Sequence, residues 1–97
     1  MYEKLKQHYH EVKNHTDLTA KSISFFEKKL RDIQYELLMI ANQQGEQQSR
    51  EVTNAIRFME LTDREDLFNI KSYPKDTAKL LARAKDKVLT HLAFAAR

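Results

Sequence analysis

Ninety-seven residues with one Gly, one Pro and no Cys suffice for a single core and exclude a collagen-like chain, a turn-rich β-sandwich, a disulfide scaffold and thiol or Cys–zinc chemistry. Charged residues make up 32% of the chain, the formal net charge is +3 and the mean hydropathy is −0.71; no apolar run exceeds the length of Leu37 to Ala41, which is too short to cross a bilayer. The expectation is one all-α domain over residues 1–97, soluble and cytoplasmic, with no secretory signal in its opening residues.

In chain order, the first element is a stripe of alternating three- and four-residue spacing. It runs from Tyr2, Leu5, Tyr9 and Val12 to Ile33, Leu37 and Ile40, and only Thr16 and Thr19 are polar within it. A spacing that averages 3.5 keeps one helix face against a packed neighbour. It predicts a helix over about 2–44, about 65 Å long if unbroken at about 1.5 Å per residue. A break near 14–17 is the alternative, because Thr16 or Asp17 has a side-chain oxygen able to cap a helix start. The unbroken register favours continuity.

Gly45 sits in a polar run, residues 42–49, where the stripe ends, and Gly is the usual residue just past a helix C-terminus. A turn there leads to a second helix over 48–61 with Val52, Ala55, Ile56 and Met59 on one face. Thr62 and Asp63 offer a cap for a short helix over 63–70 that buries Leu67, with Phe68 and Ile70 as further candidates. Tyr73-Pro74 forces the next break, since the residue before proline avoids helical backbone. The last helix, over 75–95, places Leu81, Ala84, Val88, Leu92 and Ala95 on one side. Together the elements read as an elongated antiparallel helical hairpin or bundle, with one long N-terminal helix, a broken return arm and a tendency to dimerise.

Some apolar side chains fall off these stripes. Tyr35, Leu38 and Met39 surround the inward Leu37 and Ile40, Leu18 and Phe25 form a ridge on the flank of the same helix, and Phe94 lies opposite the stripe of the last one. A helix apolar all round is normally enclosed. These six residues are therefore the candidate protein-interaction surface, for a distinct partner, for a second copy, or for both. A non-enzymatic regulator, inhibitor or assembly factor fits that pattern.

Charge supplies an alternative. Residues 1–48 hold seven basic and seven acidic groups, whereas residues 71–97 hold seven basic and two acidic. Lys75, Lys79, Arg83 and Lys87 recur every fourth residue, with Lys71 just before them, a ridge able to meet nucleic-acid phosphates. Asp76 and Asp86 interrupt it.

No constellation points to catalysis, a cofactor, a small-molecule substrate or a membrane. His8 and His10 diverge on a helix, no His pair has the four-residue spacing of helical zinc sites, and no phosphate loop or nucleophile elbow occurs. The spacing of Leu30, Ile33, Leu37, Ala41 and Gly45 resembles that of the small helical-hairpin phosphatases of sporulation response regulators. Their Ser-Gln-Glu-Leu-Asp signature is missing, with only Met59-Glu60-Leu61-Thr62-Asp63 in a comparable place, so their function is not carried over.

Overall fold

Leu5 and Val12 lie four and three residues either side of Tyr9, so one face of the first helix is apolar and needs a wall to cover it. In the computed structural model, which describes residues 2–96, that face belongs to α1 (Glu3–Asn14). The chain leaves helical geometry at His15, whose backbone is extended. The Asp17 carboxylate accepts a 3.0 Å hydrogen bond from the Thr19 N–H, and the Thr19 carbonyl accepts one from Ser22. A short 3₁₀ turn, Ala20–Ser22, then feeds α2 (Ile23–Gln44).

The expected unbroken helix over about 2–44 therefore does not form; the alternative pair of helices does, and the longest dimension of the molecule is 44 Å. The break falls on Thr16 and Thr19, the two polar members of the stripe, which are exposed in the connection. The register continues across it for a plain reason. Both helices face one core, and each needs the same three-four spacing to do so.

Gly45 ends α2 with φ of 59°, a left-handed value that glycine adopts without a Cβ clash, and its N–H bonds the Ala41 carbonyl. After the turn, Ser49 caps α3 (Arg50–Leu61) by accepting from the Val52 N–H at 3.2 Å. The Gln44 side chain closes the same corner by accepting from the Ser49 N–H.

The expected cap at Thr62 and Asp63 is also overturned. The backbone stays helical through a wider π-helical stretch, Thr62–Leu67, and on into α4 (Phe68–Ser72). Thr62 is buried and donates its hydroxyl backwards to the Phe58 carbonyl at 2.7 Å instead of capping forwards. The wide turn carries Asp66 inward beside Leu67, while Phe68 remains 64% exposed and Ile70 is buried. Tyr73 and Pro74 end this arm, and α5 (Thr77–Ala95) follows a short 3₁₀ turn.

Cross-arm bonds define the topology. Tyr2 meets Gln44 while Lys4 meets Glu36, so α1 runs antiparallel to α2. Gln44 meets Ser49 at one end and Glu27 meets Lys71 at the other, so the 50–72 arm runs antiparallel to α2. Phe58 stacks on His91 and Asp66 pairs with Lys87, which sets α5 antiparallel to that arm. Finally, α5 returns along α1, with Lys85 at His15 and Leu92 near Tyr9. Four arms thus surround one core of Leu5, Phe26, Leu30, Ile33, Leu37, Val52, Met59, Leu81 and Leu92, among others. No strand occurs among the described residues, and no helix there is long and apolar enough to cross a membrane.

Candidate functional site

The interior closes without help from the outer side of α2. Leu30, Ile33, Leu37 and Ile40 are buried, whereas Tyr35, Leu38 and Met39 are 64%, 51% and 40% exposed. Residues three and four apart are neighbours on a helix surface, so these three form one contiguous apolar turn in the middle of the longest helix. Each such side chain, if covered, contributes roughly 1.5–3 kcal/mol in proportion to the area removed from water.

A polar groove of about 280 Å³ runs beside this turn, between α1 and α2, lined by Lys4, Gln7, His8, Asp32, Tyr35 and Glu36. Lys29 spans the same seam. Its ammonium donates to His8 Nδ1 at 3.2 Å and forms an ion pair with Glu11. Burial first, and the Lys29 charge second, hold the His8 imidazole below its ordinary pKa, which favours its neutral form. Tyr35 thereby presents its ring at the junction of a polar groove and an apolar patch, with its hydroxyl end able to serve either.

The other expected contact residues lie elsewhere. Phe25 is half-buried in the α1–α2 corner, stacked on His15 with ring centroids 3.9 Å apart, and Leu18 is half-buried against the core in the same corner. Both therefore help hold that corner together. Phe94 is exposed at the far end of α5, beside Tyr2, Ser49 and Glu51 around a cavity of about 270 Å³.

Three further exposed apolar residues escaped the sequence reading as surface groups, Phe58, Leu61 and Phe68, while Tyr73, just before the basic ridge, is exposed as well. Phe58 lies face to face with His91, at 3.9 Å between centroids, and burial lowers the pKa of that imidazole. Only the three-residue spacing of Phe58 and Leu61 beside the Val52 stripe hinted at them. An apolar groove of about 230 Å³ between α1 and α5 was likewise invisible, because Lys6, Tyr9 and His10 meet Leu92, Ala93 and Ala96 only in the folded chain.

The basic ridge divides into two sets. Lys71 pairs with Glu27 at 3.0 Å, and Lys87 holds both oxygens of the buried Asp66 at 2.9 and 3.2 Å. Lys75, Lys79 and Arg83 are exposed and make no ion pair among the described residues. Lys85, outside the ridge, donates to the His15 carbonyl at 2.7 Å.

One contact has the form of catalytic machinery: His15 Nε2 lies 2.8 Å from Ser22 Oγ. Ser22 is only 2% exposed, however, and a nucleophile needs room for a substrate. The pair instead fastens the extended residue at the end of α1 to the start of α2. No group of three or more His, Asp and Glu converges as a metal site among the described residues. No family model, curated protein or solved structure matches the chain.

Proposed function

We propose that the protein is a small non-enzymatic docking module, a regulator, inhibitor or assembly factor that works in the cytoplasm by seating the outer face of α2 on a protein partner. The observation that carries this reading is the exposed turn Tyr35, Leu38 and Met39 outside a core that is already complete. Aromatic and Met side chains suit such a role, giving large contact area and adaptable packing. The double variant Leu38→Glu/Met39→Glu should abolish association while helix content by circular dichroism stays unchanged, because neither side chain supports the interior. Unchanged mass by light scattering together with unchanged capture of host protein would overturn the reading.

A second reading, nucleic-acid binding, rests on Lys75, in the turn before α5, and on Lys79 and Arg83 of α5, exposed cations that pair with none of the described residues. Each phosphate neutralised steepens the salt dependence of binding. Titrating a labelled duplex and a labelled single strand at two salt concentrations separates the two readings. Binding that weakens steeply with salt and is lost in Lys79→Glu/Arg83→Glu supports the second.

A further inference from the structure

Resting on the docking reading, we propose that the partner seated on α2 is a second copy of this chain, related by a two-fold axis that passes between Leu38 and Met39 with the two α2 helices antiparallel. A two-fold interface must be self-complementary: what lies on one side of the axis has to fit what lies on the other. The outer face of α2 has that property. Its apolar centre is flanked towards the N-terminus by the exposed cations Lys28 and Arg31, and towards the C-terminus by exposed Asn42, beyond which the turn after Gly45 carries exposed Glu46. None of these three charges has an ion-pair partner among the described residues.

With the axis in that place, Leu38 of each copy rests on Met39 of the partner subunit. Tyr35 falls beside Asn42 of the partner subunit, where its hydroxyl meets an amide. Arg31 falls at the C-terminal end of α2 of the partner subunit, against the turn after Gly45 that carries Glu46 of the partner subunit. The end of α2 supplies a second reason for this direction. Its last turn contains no basic residue, so the partial negative charge of its free carbonyls lacks a cation. The antiparallel arrangement brings Arg31 of the partner subunit to that end. A parallel arrangement sets Arg31 against Arg31 and Lys28 against Lys28, which repel.

Three apolar side chains a copy cover less than the roughly 800 Å² per partner of a standard stable interface, so the dimer is a weak one. Its mass is therefore measured by light scattering up to concentrations on the order of 100 µM. The expected result is a rise towards twice 11.5 kDa. Arg31→Glu raises the dissociation constant about tenfold, and adding Glu46→Arg restores it.

The absence of cysteine makes direction testable. Met39→Cys, beside the axis, cross-links to its own copy on mild oxidation. Ser24→Cys, exposed on the same helix, sits roughly 40 Å from its copy in the antiparallel pair and stays uncross-linked. Cross-linking of Ser24→Cys as readily as Met39→Cys overturns the proposal. So does a chain that remains monomeric throughout. A monomer that still captures a host protein, and loses it in Leu38→Glu/Met39→Glu, refutes the dimer and leaves the docking module intact; a monomer that captures nothing refutes both.

Discussion

Two places in the chain offer the same cap-forming chemistry and have opposite fates. Thr16-Asp17 and Thr62-Asp63 each present a hydroxyl followed by a carboxylate. At the first the helix ends; at the second it runs on. What differs is the partners that the rest of the fold brings. At the first, Lys85 of α5 takes the His15 carbonyl, Ser22 takes the His15 ring, Phe25 stacks on it, and Asp17 holds the Thr19 N–H. The His15 carbonyl and the Thr19 N–H, both freed at that corner, each have a side-chain partner. At the second, Thr62 is already buried and bonds its own helix, while Lys87 waits opposite Asp66 and draws the widened turn inward. A cap is only a local option. Tertiary partners decide whether it is taken.

The largest test of that contrast is Lys87→Met. It leaves the Asp66 carboxylate, 7% exposed, without its cation. Removing one member of a buried pair costs several kcal/mol, and the partial exposure of Lys87 reduces this to roughly 1–3 kcal/mol. Urea unfolding measures it. If the added change Asp66→Leu recovers most of the loss, the unpaired charge is the cause.

The next test is Asp17→Ala, read by thermal unfolding across acid pH. Hydrogen bonds from Thr19 hold the Asp17 carboxyl below its ordinary pKa of 3.8. A lowered carboxylate pKa means the stabilisation is fully present above the unfolded value and is lost as the pH falls through the folded one. The variant should therefore unfold at a lower temperature than the parent at pH 7, and the difference should close in strong acid. A difference that persists below the folded pKa would show that something other than the carboxylate acts there.

The smallest effect belongs to Thr62→Val. A capping threonine costs about 1 kcal/mol to remove. A threonine bonded back to its own helix, replaced by a residue of the same shape, should change stability by less than about 0.5 kcal/mol, because the Phe58 carbonyl keeps its place in the backbone ladder. A loss at the capping level in urea unfolding would mean that the second site works like the first.

The contrast also marks how far the candidate surface was legible. Tyr35, Leu38 and Met39 were identifiable because α2 is regular, and a regular helix converts spacing into direction without outside help. Leu18 and Phe25 were read on the same logic as a flank, but the helix that would have carried Leu18 ends before it, so both turn into the α1–α2 corner. Phe68 was read as a candidate for the interior and lies outside, since the π-helical stretch before it alters the angle between Leu61 and every residue after it. Lys71 and Lys87 stood in a ridge of like charges, yet their carboxylates, Glu27 and Asp66, come from other arms.

Composition and periodicity alone determined that this chain is helical and where most of its inward faces lie. Those properties arise within a turn or two of backbone, and Gly45 and Pro74 mark their ends through their own φ angles. Only the tertiary structure decided that the first stripe is two helices, that the third arm is one, and which cations remain free at the surface. Each of those outcomes depends on groups far apart in sequence competing for the same polar atom, and spacing along a chain does not record such encounters.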